Sequence, residues 1–134
     1  YLAEASARGF NVGGTTEEYY NQAIAASFEY WEVPDVSDYL ARPDVAYDSA
    51  PGDWREKIGL QFWLAMYNRG FEGWTVWRTF DVPTLNLPAL TESPVPTRYT
   101  YPINEQNLNE QNWIDASDAI GGDTQTNRLF WDIQ

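Results

Sequence analysis

The sequence predicts a mainly α fold of helical hairpins, closed by a long proline-rich irregular wrap. Three observations carry that expectation. Apolar residues recur at helical spacing through most of residues 1–80. The stretch from Trp54 to Arg78 carries two apolar stripes where a surface helix has one. Five prolines then fall between Pro83 and Pro102, where no regular helix can run through them.

Taken in order, Tyr1–Arg8 reads as the last two turns of a helix stopped by Gly9. Thr15 and Glu18 have the spacing of a capping box and open a helix from Thr16 to about Glu32. Tyr20, Ala23, Ile24, Ser27, Phe28 and Trp31 lie on its apolar face, opposite Glu18, Asn21, Gln22, Glu29 and Glu32. Ala3, Ala5, Ala7, Ala23 and Ala26 let these two helices approach closely, as a hairpin of the tetratricopeptide kind, with no second copy in the chain. Val33-Pro34 ends the second helix. Asp35 is placed to cap a short one, Val36 to Ala41, which Arg42-Pro43 ends.

Asp53, or the turn before it, starts the central helix. Trp54, Ile58, Phe62, Ala65 and Met66 form one stripe; Leu60, Trp63, Leu64 and Tyr67 form the other. Lys57, Gln61 and Asn68 make a narrow polar seam between them. Such a helix should be sandwiched between two layers, with residues preceding Tyr1 covering part of one stripe. Asn68-Arg69-Gly70 interrupts the pattern, and Phe71, Trp74 and Trp77 resume it on a shorter helix ending at Arg78.

From Asp81 to Glu110 the prolines (Pro83, Pro88, Pro94, Pro96, Pro102) exclude regular helix. Leu85, Leu87, Leu90, Val95, Tyr99 and Tyr101 among them predict an ordered wrap against the core, with short extended pieces near Arg98–Tyr101. Asn109 is placed to cap a last helix from Glu110 to Ala119, which Gly121-Gly122 breaks. Arg128–Asp132 is an aromatic tail expected to dock on the core. The domain expectation is therefore a helical core over 1–80 and a wrap, short helix and tail over 81–134.

Composition removes several functions. Twenty acidic residues against eight basic ones give a net charge of −12, which repels phosphate backbones and argues against nucleic acid. There is no Cys and no His, so disulfides, thiolates, serine–histidine machinery and most zinc sites are excluded within this chain. No cofactor is implied. Acid–base chemistry would rest on carboxylates, Tyr or the single lysine, Lys57.

Aromatics interleaved with polar groups can stack on sugar rings by dispersion. Trp54, Trp63, Trp74 and Trp77 sit at helical spacing, where core packing outweighs ligand contact. Trp31, Tyr47 and Trp113 lie nearer loops or helix ends and are the ligand-binding candidates. A glycosidase pair is defined by separation in space, which no local motif supplies, so solvated surface charge outweighs it. Asp44 with Asp48, or Asp115 with Asp118, have oxygen donors but not the spaced calcium loop, and no metal is expected.

Five stretches, in order, resemble one family. Gly70-Phe71-Glu72-Gly73-Trp74-x-x-Trp77-Arg78 with Pro83 following, the EKIGLQFWLAMY helix before it, Val95-Pro96-x-Arg98-x-x-Tyr101-Pro102, Asn109-x-x-Asn112 and Gly121-Gly122-Asp123…Phe130-Trp131-Asp132 are similar to signatures of the SusD/RagB proteins. Arg78-Thr79 departs where that family often has two arginines, and Phe80-Asp81 where it often has a Gly.

The resemblance implies a C-terminal fragment of a longer, mostly helical lipoprotein of the bacterial outer membrane, anchored through an N-terminal lipid-bearing Cys. It implies non-enzymatic capture of oligosaccharides or peptides as a lid over a TonB-dependent, SusC-like transporter, and the N-terminal remainder of the same protein as a further partner. None of that family's ligand residues is matched here, and Trp63, Trp74, Arg78 and Arg98 carry over as structural. The rivals are a helical-repeat interaction scaffold without small ligand and a carboxylate-based glycoside hydrolase fragment.

Overall fold

The computed structural model describes residues 1–87, 89 and 94–132; Pro88 and Leu90 of the expected wrap lie outside the described residues. The regular secondary structure among the described residues is entirely helical, as the periodicity predicts. The chain divides into two compact units, Tyr1–Thr84 and Leu85–Gln134.

The first unit contains α1 (Leu2–Ala7), α2 (Thr16–Tyr30), α3 (Val36–Leu40), α4 (Trp54–Ala65) and α5 (Gly70–Phe80). α1 packs on α2, α4 packs against both, and α5 packs on α4. Gly9 ends α1 at φ +88°, a left-handed conformation that glycine adopts without a Cβ clash. The Thr15–Glu18 capping box forms: Glu18 N–H donates to Thr15 Oγ1 at 3.2 Å and Thr15 N–H donates to Glu18 Oε2 at 2.7 Å. Asp53 and Glu56 make a second box at the start of α4, with Asp53 Oδ1 accepting from Arg55 N–H at 2.8 Å. α2 stops two residues short of Glu32, which itself takes a positive φ.

The core is built from Ala3, Tyr20, Ile24, Val45, Ile58, Val76 and Phe80. Tyr20 donates its hydroxyl to Val45 O at 2.8 Å, and burial pushes its phenol up to about 12. Phe62 bridges outward, edge-to-face with Phe80 at 6.3 Å and with Tyr1 at 5.4 Å. Gly59 lies buried where α4 meets the end of α5; a Cβ there would stand 2.5 Å from Phe80 Cβ and 2.6 Å from Val82 Cγ2. Close helix approach at that crossing requires glycine.

Several expectations for this unit need correction. Asp35 does not cap α3 with its side chain; it takes left-handed dihedrals, and no side-chain cap bond forms. α5 runs two residues beyond Arg78 because Thr79 and Phe80 keep its turn, and Asp81 in the left-handed region ends it. The two-layer sandwich of α4 is incomplete. Ile58 is buried and Phe62 half-buried on the first stripe, whereas Leu64 and Tyr67 on the second are exposed. Trp54, Trp63, Trp74 and Trp77 are each half-buried, with Trp54 and Trp63 against the core cluster and Trp77 Nε1 donating to Pro83 O at 3.1 Å.

The second unit contains α6 (Ile103–Leu108) and α7 (Glu110–Ala119). α6 falls inside the stretch expected to lack helix. Pro102 is the last of the prolines and stands just before the helix, so INEQNL is free to coil. α7 has the expected bounds, but Asn109 makes no side-chain cap bond to it. Its amide instead donates to Glu105 Oε2 at 2.9 Å, and its Oδ1 accepts from Asn112 at 2.5 Å. No strand forms near Arg98–Tyr101 among the described residues. That segment is held by side chains and by the Arg98 N–H, which donates to Gln125 O at 3.3 Å.

Asp123 is the hub. Its carboxylate accepts from Arg98 Nη1 at 2.8 Å, Tyr101 N–H at 3.1 Å and Trp113 Nε1 at 3.1 Å. Arg98 and Asp123 side chains are only 6% and 5% exposed. Thr97 N–H donates to Gln125 O at 2.7 Å, and Gly121 and Gly122 take the positive φ of the intervening turn. In the tail, Arg128 pairs with buried Asp132, and Phe130 is 92% exposed.

Candidate functional site

The three sequence candidates meet different fates. Trp113 gives its indole N–H to Asp123 and serves the second unit's hub. Tyr47 lies half-buried, edge-to-face with Tyr20 at 5.3 Å, under the Lys57 ammonium at 5.0 Å from its ring centre. Lys57 also donates to Tyr47 O at 2.7 Å, and burial raises the Tyr47 phenol pKa. The polar edge of Trp113 and the ring of Tyr47 are thus each engaged by neighbouring side chains.

Trp31 is different. It caps the C-terminal end of α2, where its N–H bonds back to Ser27 O at 3.1 Å, and the residue is 39% exposed. It meets Tyr30 edge-to-face at 5.2 Å and Tyr67 at 5.9 Å. Tyr30 and Tyr67 are 63% and 74% exposed, and the Arg69 guanidinium lies over Tyr30 at 5.0 Å. The chain thus gathers three exposed aromatic rings from the end of α2 and the α4–α5 turn. Tyr67 was legible only as a stripe residue of α4, because its nearness to Trp31 depends on how α2 and α4 cross.

This cluster stands at the junction of two depressions. One is an apolar groove of about 630 Å³ between α2 and α4, with Trp31, Tyr67, Leu64, Phe28 and Tyr1 in its lining. The other, about 430 Å³, lies between the end of α4 and the start of α5, with Trp63, Trp74, Tyr67, Asn68 and Arg69 around it. Both volumes fall in the ~300–1,000 Å³ range of ligand sites.

Among the described residues, the carboxyls of Glu18, Asp44 and Asp123 are held below the ordinary carboxylate range. Glu18 is lowered by the Thr15 N–H, and Asp44 by the Arg42 guanidinium. Asp44, a conceivable calcium ligand, is engaged with Arg42 at 2.6 Å. No cluster of three metal-binding side chains occurs among the described residues.

The described residues form helical hairpins of tetratricopeptide-like architecture with an exposed aromatic cluster at Tyr30, Trp31 and Tyr67. The chain belongs to the SusD-like family: residues 1–102 match its model, described as starch-binding and associating with the outer membrane. It is similar over 99% of its length to a SusD homologue from Bacteroides thetaiotaomicron (22% identity, TM-score 0.82), of which it covers 36%. A chitin-binding SusD homologue from Flavobacterium johnsoniae gives 27% identity and TM-score 0.79 over 99% of this chain and 34% of that one. A further chitin-binding protein gives 30% identity and TM-score 0.73 over 99% and 31%. The chain therefore spans about a third of the length of these relatives. Among curated proteins there is no match.

Proposed function

We propose that this chain is the C-terminal part of a longer outer-membrane protein that captures glycans without chemistry. It holds an oligosaccharide at the cell surface and passes it to a TonB-dependent, SusC-like transporter, with a lipid anchor on the N-terminal part. The family description and the chitin-binding relatives support a glycan ligand. No helix among the described residues is long and apolar enough to cross a membrane.

The observation that carries the reading is the exposed Tyr30–Trp31–Tyr67 cluster. Flat aromatic faces suit the C–H faces of pyranose rings, and Asn68 and Arg69 nearby can bond hydroxyls. A net charge of −12 disfavours acidic ligands, so neutral or N-acetylated glycans fit better than acidic peptides. Trp31 and Tyr67 are the stacking residues in this reading.

Titration of the full-length protein with maltooligosaccharides and chitooligosaccharides should give saturable binding of one class, with no new reducing ends. Trp31→Ala should weaken it about tenfold or more, the loss of about 1.4 kcal/mol of stacking. Tyr47→Phe should leave affinity unchanged. Turnover abolished by replacing one carboxylate, or unaltered affinity in Trp31→Ala, would overturn the reading.

A further inference from the structure

The depression between the end of α4 and the start of α5 adjoins the aromatic cluster through Tyr67, which stands in the linings of both depressions. A glycan stacked on Trp31 and Tyr67 therefore has this second space, about 430 Å³, at its side. Its lining is of two kinds. Trp63, Met66 and Trp74 are half-buried around it and Gly73 is buried, whereas Asn68 and Arg69 are exposed. The Arg78 guanidinium lies over Trp74 at 3.9 Å and steadies that indole. No carboxylate stands among the described lining residues, in a chain with twenty acidic side chains.

That combination sorts sugar substituents. A bare hydroxyl set against two indoles and a thioether loses its water and gains no partner. An amine meets no counter-charge there. A carboxylate faces Arg69 alone, whose guanidinium already lies over Tyr30 at 5.0 Å, in a chain of net charge −12. An acetamido group divides as the lining does. Its methyl suits the soft, apolar surface of Met66 and the indoles. Its amide has one donor and one acceptor, which the Asn68 carboxamide answers with an acceptor and a donor of its own. Gly73 keeps the space open, since a Cβ there would stand 3.7 Å from Met66 Cβ.

We propose that this depression is an acetamido pocket. It takes the N-acetyl group of a hexosamine unit in the glycan that stacks on Trp31 and Tyr67, with the methyl against Trp63, Met66 and Trp74 and the amide on Asn68. This rests on the glycan reading of the aromatic cluster and narrows its ligand to chains of N-acetylhexosamine. Asn68 and Gly73 are then the residues that set the preference.

Chitotetraose and cellotetraose share ring and linkage and differ in one substituent per ring, acetamido against hydroxyl. Calorimetric titration of the full-length protein should show chitotetraose binding about tenfold tighter or more. Asn68→Gly keeps the left-handed backbone of that residue, φ +61°, while removing its carboxamide. It should cut the ratio about threefold or more. Gly73→Ala, whose methyl meets Met66 in ordinary contact, should also cut it, with a thermal midpoint at or above the parent's. Should that midpoint fall, Asn68→Gly alone decides. Equal affinity for the two sugars, weakened alike by Trp31→Ala, would overturn the pocket and leave the glycan reading standing. Affinity untouched by Trp31→Ala would overturn the cluster reading itself. A preference kept in full by both Asn68→Gly and Gly73→Ala would overturn the pocket, as would binding of maltotetraose alone or of none of the three.

Discussion

Asp123→Ala is expected to unfold the second unit while the helices of the first persist. The substitution leaves the Arg98 guanidinium, 6% exposed, without its anionic partner, and strips the acceptor from Tyr101 N–H and Trp113 Nε1. Removing one member of a buried pair costs about 3–5 kcal/mol, because the remaining charge stays desolvated. A unit with two short helices and a turn-rich segment has little reserve to absorb that. Native-state hydrogen exchange would read it as lost protection across α7 with α2 and α4 unaffected.

The same carboxylate gives a pH dependence whose sign is fixed. Burial alone would raise its pKa, but Trp113, Tyr101 and Arg98 together outweigh burial and hold it below the ordinary value. A carboxyl with a depressed folded pKa stabilises the fold above its unfolded value, about 3.9. That contribution fades as pH falls through the lower folded value. The second unit should therefore loosen below about pH 4, and Asp123→Asn should remove most of that dependence. Replacing both partners by apolar residues of similar volume, Asp123→Leu with Arg98→Met, should recover much of the loss.

Gly59→Ala is the second large effect, and its direction runs against helix propensity. Alanine in place of glycine inside an exposed helix gains about 0.5–1 kcal/mol. At Gly59 the new methyl would lie 2.5 Å from Phe80 Cβ and 2.6 Å from Val82 Cγ2, both on the short path out of α5. Neither atom is the far end of a flexible side chain, so α4 and α5 must separate. Overpacking of this kind costs about 1–3 kcal/mol, enough to reverse the sign. Thermal unfolding should show a lowered midpoint for Gly59→Ala. Gly70→Ala, where nothing lies within 4 Å, should match or exceed the parent.

These two sites also show where sequence reasoning reaches its limit. Periodicity and caps locate α2 and α4 because both are local: Thr15–Glu18 and Asp53–Glu56 each act over one turn. The role of Gly59 is not local, since its neighbour Phe80 comes from another helix. Arg98 and Asp123 each stood in a separate recognisable stretch, but nothing in linear order joined them across twenty-five positions. α6 was missed because a rule about prolines was extended past the last of them, Pro102.

Of the proposed Tyr30–Trp31–Tyr67 cluster, the sequence offered Trp31 as a ligand candidate. Trp31 could be placed at a helix end from Val33-Pro34 alone, and an aromatic there is poorly covered by its own helix. Trp113 and Tyr47 had the same surface signature, but their partners, Asp123 and Lys57, come from other turns of the fold. Tyr30 and Tyr67 join Trp31 only when α2 and the α4–α5 turn are brought together.

The most direct test is hydrogen–deuterium exchange of the full-length protein with and without the oligosaccharide that binds it. Slowed exchange on binding at residues 30–33 and 66–70, with α7 unchanged, is the predicted result. Slowed exchange confined to other parts of the protein, with both stretches unmoved, would contradict the assignment of the ligand to this aromatic cluster.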